Sequence, residues 1–298
     1  MNFTDLLKEP QALTGTIAIV NATDEPLIRV IIEVLKQTEA DFKLYNNQDV
    51  AEIIRSFELS ADFLKRIHIQ TFDTEEAAIE GCLNDLHHGK AQILMKGQIS
   101  TAKILSAVLK RNAQGTKPFL NHVALCEIPS SYHKLLMISD VALNIAPTEE
   151  EMKAIIQNLV DFSKRLQYQQ LHIALLSSVE KVSPKIPSTV QAERLSEYYQ
   201  SHPIEPHVHV EGPFALDNAI DKKSAIQKGI HSKVAGNADV LIVPGLDAGN
   251  VLYKSLTYFG RAKVASLILG AHFPIVLTSR ADSIENKINS ILVALKVG

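Results

Sequence analysis

Short apolar runs alternate with amphipathic segments along most of this chain, and the alternation predicts an α/β protein. Residues 17–20 and 93–95 have the length and composition of buried strands. After the first run, Thr23 or Asp24 stands where a helix cap is expected, and Pro26 stands where a first-turn proline is expected. Repetition of strand and helix in this order predicts mainly parallel sheets flanked by helices.

The pattern changes near residue 120. The apolar runs 123–127 and 135–138 are joined by too few residues for a helical crossover, so we expect them to pair antiparallel. We therefore predict two domains: residues 1–120 with 273–298, and residues 121–272.

Segment 239–254 contains an apolar run, followed directly by a turn and the start of a helix. We expect Gly245 and Gly249 to allow a tight turn with positive φ, and Asp247 or Asn250 to cap the helix that follows. The backbone N–H groups at such a helix start attract an anion. An ordinary strand-to-helix turn has the same residue types, so this segment alone does not decide between the two.

Composition narrows the class of protein. Of 298 residues, 46% are hydrophobic and 21% are charged, which is typical of a globular protein. The net charge is −3 with no basic block, so we expect no nucleic-acid partner. Cys82 and Cys126 have neither disulfide-type nor metal-type spacing, Asp5 and Glu9 interrupt any export signal, and no apolar run is long enough for a bilayer. We expect a cytoplasmic protein without a membrane partner.

Polar residues follow several predicted strands, and ligands of open α/β sheets bind beyond the carboxyl ends of strands. These candidates are Lys96-Gly97, Ser139-Asp140, the 247–250 turn and Ser279-Arg280. Arg280 is suited to two parallel hydrogen bonds to phosphate, each worth roughly 1.5–3 kcal/mol. Any one of these residues alone is more typical of a solvated loop. His207 and His209 lack a third ligand at useful spacing, so we expect no metal.

Five segments together resemble the phosphate acetyl/butyryltransferase family. They are LMKG at 94–97, SDVALNIAPT at 139–148, EGPFALDNAI at 211–220, VAGNADVLIVPGLDAGNVLYK at 234–254 and PIVLTSRADS at 274–283. The NIAP and TSRADS motifs look closer to the butyryl branch than to the acetyl branch.

The resemblance implies reversible transfer of a short-chain acyl group between coenzyme A and inorganic phosphate, with acyl phosphate as the other product. It implies coenzyme A as a substrate and no further cofactor. It also implies a homodimer or larger homo-oligomer, and two α/β domains with a cleft between them, as in isocitrate and isopropylmalate dehydrogenases.

By this resemblance, Ser279 is the hydroxyl beside the reacting carbonyl or thiol, and Arg280 clamps phosphate. The family's acetyl branch has an aspartate base seven positions after that serine, where this chain has Asn286. An amide cannot accept the thiol proton as a carboxylate does. Asp282 is the nearest replacement base, and the N-cap of the last helix is its alternative role. We take Ser279, Arg280 and Asp282 as the catalytic candidates.

The substrate-binding candidates combine the strand ends with the resemblance. They are Lys96, Gly97, Thr101, Asp140, Asn144, Asp247, Gly249, Asn250, Tyr253 and Asn286. Ser106 replaces an arginine that the family usually has, for which Lys103, Lys110 or Arg111 can compensate, with Lys110 best placed. The two departures keep open a protein that binds acyl phosphate or coenzyme A without turnover. A metal- and NAD-dependent dehydrogenase of the same fold is the other alternative.

Overall fold

The fold is described from a computed structural model, which describes residues 2–111, 119–129, 132–279 and 282–298. The strands are β1 (Thr16–Val20), β2 (Asp41–Asn46), β3 (Ile67–Thr71), β4 (Ile93–Lys96), β5 (Asn121–Glu127), β6 (Leu136–Ser139), β7 (Leu171–Leu176), β8 (Val208–Phe214), β9 (Val240–Ile242), β10 (Lys263–Leu269) and β11 (Ile275–Val276).

The helices are α1 (Phe3–Leu6), α2 (Glu25–Gln37), α3 (Ala51–Arg55), α4 (Ala61–Lys65), α5 (Glu75–His87), α6 (Thr101–Arg111), α7 (Glu149–Arg165), α8 (Pro187–Ser201), α9 (Leu216–Ile220), α10 (Lys222–Gln227), α11 (Leu246–Tyr258) and α12 (Ile284–Val297), with a 3-10 turn at Pro10–Ala12. None of the helices in the described ranges is both long enough and apolar enough to cross a membrane.

The chain divides into two compact units. The terminal unit comprises Leu7–Pro118 and Ala265–Gly298, and the central unit comprises Met1–Leu6 and Phe119–Val264. Compactness alone does not show which segments fold independently. The domains 1–120 with 273–298, and 121–272, therefore stay a prediction.

In the terminal unit the strand order is β3-β2-β1-β4-β11-β10. The neighbours from β3 to β11 run parallel, and β10 runs antiparallel to β11. Val20 pairs with Lys96 and Met95 pairs with Val276, so the ends of β1, β4 and β11 lie at one carboxyl edge. Central strands such as β1 and β4 are almost wholly buried, as their unbroken apolar runs predict, while the edge strand β3 is largely exposed.

In the central unit the strand order is β5-β6-β9-β7-β8. The pair β5 and β6 is antiparallel, as their short connection predicts, and the remaining neighbours are parallel. Ser139 and Leu175 both pair with Ile242, so their strands also end at one carboxyl edge. Helix α8 packs against β7 and β8, and α11 packs against β6. The predicted α/β class is confirmed, whereas the inter-domain cleft and the likeness to isocitrate dehydrogenase stay predictions.

Local side-chain caps fix several helix starts. The carboxylate of Asp24, one of the two caps expected for α2, accepts the Leu27 N–H at 2.9 Å. Thr148 and Glu151 form a reciprocal capping box at the start of α7.

Candidate functional site

Gly97 lies at the carboxyl edge of the terminal unit, in close contact with the end of β1. Its N–H donates to the Val20 carbonyl at 2.9 Å. A Cβ at position 97 would lie 2.2 Å from the Asn21 carbonyl oxygen. Only glycine fits, because the two loops touch through their backbones.

Lys96 folds back onto the loop that leads into α6. Its Nζ donates to the carbonyl oxygens of Gly97 at 3.1 Å and Ile99 at 3.0 Å. Thr101, the first residue of α6, is half-buried. Lys96 therefore brings positive charge to the carboxyl edge while it holds the loop between β4 and α6.

Ser279 and Asp282, which follow β11, form two hydrogen bonds with each other. Because β11 is parallel to β4, this pair lies at the same edge as Lys96. The Ser279 N–H donates to Asp282 Oδ2 at 2.6 Å, and the Asp282 N–H donates to the Ser279 carbonyl at 3.2 Å. Ser279 is exposed and Asp282 is half-buried. Arg280 lies outside the described residues, so its predicted role stays a prediction.

The N-cap of α12 is Ser283, which corrects the alternative role considered for Asp282. The Ser283 hydroxyl accepts the Asn286 N–H at 3.1 Å. The cap directly precedes the first helical residue, Ile284, and Asp282 lies one residue too early for that geometry. Asn286 is half-buried in the first turn of the helix.

Asp140 organises the corresponding loop in the central unit. Its carboxylate is buried and accepts four hydrogen bonds, from the N–H groups of Ala142 at 2.7 Å, Leu143 at 2.9 Å and His122 at 3.1 Å and from Asn144 Nδ2 at 2.6 Å. Asn144 Nδ2 also donates to the Leu120 carbonyl at 2.9 Å. These contacts give Asp140 and Asn144 a structural role in holding the loop after β6.

Helix α11 begins differently from the prediction. Its N-cap is Gly245, without a side-chain cap, whereas Asp247 and Asn250 already lie inside the helix. Gly245 has φ 175°, an extended conformation, so the predicted positive φ is wrong there. Asp247 is exposed in the first turn, and Asn250 Nδ2 donates to the Val141 carbonyl at 3.2 Å.

Gly249 is helical, which also corrects the predicted positive-φ turn. A Cβ there would lie 2.1 Å from the Asp140 carbonyl oxygen and 2.9 Å from Val243 Cγ2. The glycine is needed because α11 crosses the backbone after β6 at close range. Tyr253, one turn further on, is half-buried against the unit's apolar core.

The sequence analysis did not identify two buried polar residues at these edges, Asn21 and His122. Asn21 follows β1 with φ 56°, and its side chain donates to Glu75 Oε2 at 3.2 Å and accepts the Asn47 N–H at 3.2 Å. His122 lies beneath Asp140, and burial lowers its pKa to about 4 although the Asp140 charge opposes that shift. Neither ring nitrogen of His122 has a hydrogen-bond partner among the residues that the structure describes. An asparagine after a predicted strand indicates a turn, so Asn21 could have been identified from the sequence. The sequence around His122 contains no motif that indicates a buried polar residue.

The cations of α6 differ in their partners. Lys103 Nζ lies 2.7 Å from Glu75 Oε1, and Arg111 lies 3.0 Å from Glu80 Oε2. Lys110 forms no ion pair within the described ranges. Of the three possible replacements for the arginine missing at Ser106, Lys110 is therefore the one without a competing carboxylate among them.

Comparisons with known proteins agree with this architecture. The family described as "Phosphate acetyl/butaryl transferase" matches residues 82–295. A probable phosphate butyryltransferase of Bacillus subtilis is 40% identical over 94% of this chain and 92% of its own length. A phosphate butyryltransferase of Clostridium beijerinckii is 34% identical over 99% of this chain and 97% of its own length.

A solved structure agrees as well. The crystal structure of a branched-chain phosphotransacylase from Enterococcus faecalis V583 has a TM-score of 0.81 and 32% identity, and the match covers 94% of this chain and 98% of that one. With sequence relatives along nearly its whole length and the same fold, the chain belongs to the phosphate acetyl/butyryltransferase family of acyltransferases.

Proposed function

We propose that this chain catalyses the reversible transfer of a short-chain acyl group between coenzyme A and inorganic phosphate, with butyryl-CoA as the type of substrate. The observation that carries the proposal is the match to relatives named phosphate butyryltransferase over at least 94% of this chain. Coenzyme A enters as a substrate, and no metal or further cofactor takes part in the proposed reaction. We place the reaction in the cytoplasm.

The reaction needs stabilisation of a developing negative charge. A phosphate oxygen attacks the thioester carbonyl, the tetrahedral oxyanion collapses, and the C–S bond breaks to give acyl phosphate and a thiolate that takes up a proton. Losing one hydrogen-bond donor to such an oxyanion typically costs about 2.7–4 kcal/mol.

We assign the reacting groups to the turn after β11. Ser279 is the hydroxyl beside the reacting carbonyl, Arg280 the clamp on phosphate, and Asp282 the base that takes the thiol proton in the reverse direction. The hydrogen bond from the Ser279 N–H to Asp282 Oδ2 supports this pairing, because it joins the carboxylate to the residue that carries the hydroxyl. Ser283 provides the helix cap, so Asp282 is not needed for that purpose.

We assign substrate binding to the remaining candidates at the two carboxyl edges. In the terminal unit these are Lys96, Gly97, Thr101 and Asn286, with Lys110 supplying the positive charge lost at Ser106. In the central unit they are Asp140, Asn144, Asp247, Gly249, Asn250 and Tyr253. Asp247 is the exposed side chain among the latter, while Asp140 and Gly249 shape the backbone around it.

We also propose a homodimer or larger homo-oligomer. Helix α11 and the residue after it expose Val251, Tyr258 and Phe259 at 65%, 69% and 89% of their surface. Large apolar side chains clustered on a surface mark association sites. Sedimentation velocity should give a mass above 32.8 kDa, and a Phe259→Asp variant should shift it toward the monomer.

One assay tests the activity: butyryl-CoA is mixed with phosphate, and free thiol is followed over time. Thiol release should require phosphate and should be reversed by adding coenzyme A to acyl phosphate. The Arg280→Ala variant should raise the KM for phosphate or abolish turnover. An unchanged rate would exclude Arg280 from the phosphate site.

The outcomes that contradict the proposal are distinct. No phosphate-dependent thiol release from acetyl-, butyryl- or branched acyl-CoA would refute it. Affinity for coenzyme A without turnover would favour a binding protein, as Asn286 and Ser106 suggest. Magnesium-dependent reduction of NAD would favour a dehydrogenase.

A further inference from the structure

A cavity of about 770 Å³ opens at the amino edge of the central unit. Tyr132 and His133, which precede β6, and Asn237, which precedes β9, line it. Because β6 and β9 are parallel and Met137 pairs with Val240, these positions lie at the start of both strands. Asp140 lies at the opposite edge, about 20 Å further along the strand direction at roughly 3.3 Å per residue. The cavity is thus separate from the candidate active-site residues of this unit.

The cavity carries an excess of positive charge. Lys222 and Lys233 line it, and neither forms an ion pair with any residue that the structure describes. Asp221, the acidic residue of the lining, directs its carboxylate to the start of α10, where it accepts the Ser224 N–H at 2.7 Å and the Ser224 hydroxyl at 2.8 Å. The lining therefore contains two lysines and one carboxylate, and that carboxylate already caps a helix.

Three further carboxylates of this unit form ion pairs with lysines other than Lys222 and Lys233. Glu180 and Asp217 both pair with Lys228, at 3.1 Å and 3.2 Å. Asp239 pairs with Lys134 at 2.6 Å and accepts the N–H of His172 at 2.8 Å. A ligand that neutralises Lys222 and Lys233 must therefore bring its own negative charge.

The walls of the cavity are held in place. The Tyr132 hydroxyl donates to the Ala238 carbonyl at 2.6 Å, and its ring lies 4.9 Å from the His133 ring between centroids. Gly236 has φ +73°, and a Cβ there would lie 2.4 Å from Lys222 Cα, so the two loops touch through their backbones. Lys134 Nζ donates to the Asn237 carbonyl at 2.8 Å. A fixed, partly aromatic wall with two cations suits a planar group joined to an anion.

We propose that this cavity is a second ligand site that binds a nucleoside phosphate. The base packs against the Tyr132 and His133 rings, and the phosphates lie between Lys222 and Lys233, which act as point charges. The volume falls within the roughly 300–1,000 Å³ of small-molecule sites, which is more than inorganic phosphate fills. Coenzyme A contains an adenine nucleotide of the same chemistry, so competition must separate the two sources.

The test measures binding of mant-ADP, a fluorescent nucleotide, by anisotropy at low salt, without turnover. Wild type is compared with the double variant Lys222→Ala/Lys233→Ala and with Lys223→Ala, a neighbouring exposed lysine that does not line the cavity. We expect saturable binding to wild type, a Kd at least tenfold weaker in the double variant, and a change of less than twofold in Lys223→Ala. Unlabelled ADP and coenzyme A, added as competitors, show which nucleotide source the site prefers.

Three results would overturn the second site: no saturable binding to wild type, equal affinity in the double variant, or an equal loss in Lys223→Ala. Thermal melts of all three proteins check that each is folded. Thiol release from butyryl-CoA without nucleotide should be the same in the three proteins. A protein without acyl-transfer activity can therefore still show nucleotide binding, and a protein without nucleotide binding can still show acyl transfer. The two proposals are tested separately.

Discussion

Replacing Gly249 by alanine tests whether the contact between α11 and the Asp140 loop is as close as the structure indicates. The new Cβ would lie 2.1 Å from the Asp140 carbonyl oxygen. Favourable non-bonded contacts between carbon atoms lie at roughly 3.5–4.0 Å, so the helix or the loop must move by more than about 1 Å. Both sides are backbone, and neither can rotate away as a flexible side chain does.

The sign of the change in the free energy of unfolding shows whether position 249 is in close contact or has free space around it. In a helix with room, Gly→Ala stabilises by about 1 kcal/mol through helix propensity. Overpacking a well-packed contact costs typically 1–3 kcal/mol. A separation of 2.1 Å from a backbone atom places this variant in the upper part of that range, at about 2–3 kcal/mol. After the propensity gain of about 1 kcal/mol is subtracted, we expect Gly249→Ala to lower the free energy of unfolding by about 1–2 kcal/mol. A 1 Å displacement of proposed binding groups can also lower the rate by roughly 10²-fold.

Urea unfolding and the thiol-release assay measure the two effects. The control is Ala248→Gly, which removes a Cβ from the adjacent exposed position in the same helix and loses at most about 1 kcal/mol of propensity. This control should retain activity. If Gly249→Ala is as stable as wild type or more stable, the close approach of Gly249 to Asp140 is wrong.

Three further predictions follow from single side chains. Asp282→Asn keeps an oxygen that accepts the Ser279 N–H but removes the base, so kcat should fall by roughly 10²-fold or more while the melting temperature stays unchanged; full activity would assign Asp282 to the turn alone. For His122, burial lowers the folded-state pKa to about 4, while the unfolded value is about 6.5. The unfolded chain therefore binds the proton first, and stability falls as the pH drops through this window. Wild type should lose on the order of 3 kcal/mol more than His122→Phe between pH 6.5 and pH 4, and parallel pH profiles of unfolding would contradict this. Thr148→Ala removes the capping box of α7 and should cost about 1 kcal/mol in urea unfolding, whereas Thr148→Ser should retain most of that stability.

Local features of the fold could be predicted from the amino-acid sequence. The unbroken apolar runs predicted the buried parallel strands, and the short connection before β6 predicted the antiparallel pair. The cap of α2 was predicted to be Thr23 or Asp24, because capping depends on residues three positions apart, and Asp24 forms it. The five motifs indicated the family because each one is contiguous in sequence.

Contacts between residues far apart in sequence decided the features that the sequence analysis did not predict. Asp140 and Gly249 are 109 positions apart, and the need for glycine arises only where α11 crosses the loop after β6. The sequence interpretation singled out Gly249 for a turn that does not form there. Likewise, the sequence indicated Asp140 as a substrate-binding candidate, and only the tertiary structure shows that its carboxylate also accepts four hydrogen bonds that hold a loop.

The cavity at the amino edge shows the same division most clearly. Lys222 and Lys233 are ordinary charged residues in the sequence, and no local spacing joins them to Tyr132 and His133. The parallel pairing of β6 with β9, together with the backbone contact between Gly236 and Lys222, brings these four side chains to one cavity. The sequence by itself determined the elements and the family, because both are encoded in short contiguous patterns. The tertiary structure alone decided which side chains meet, because packing joins residues across about 90 to 100 positions of chain.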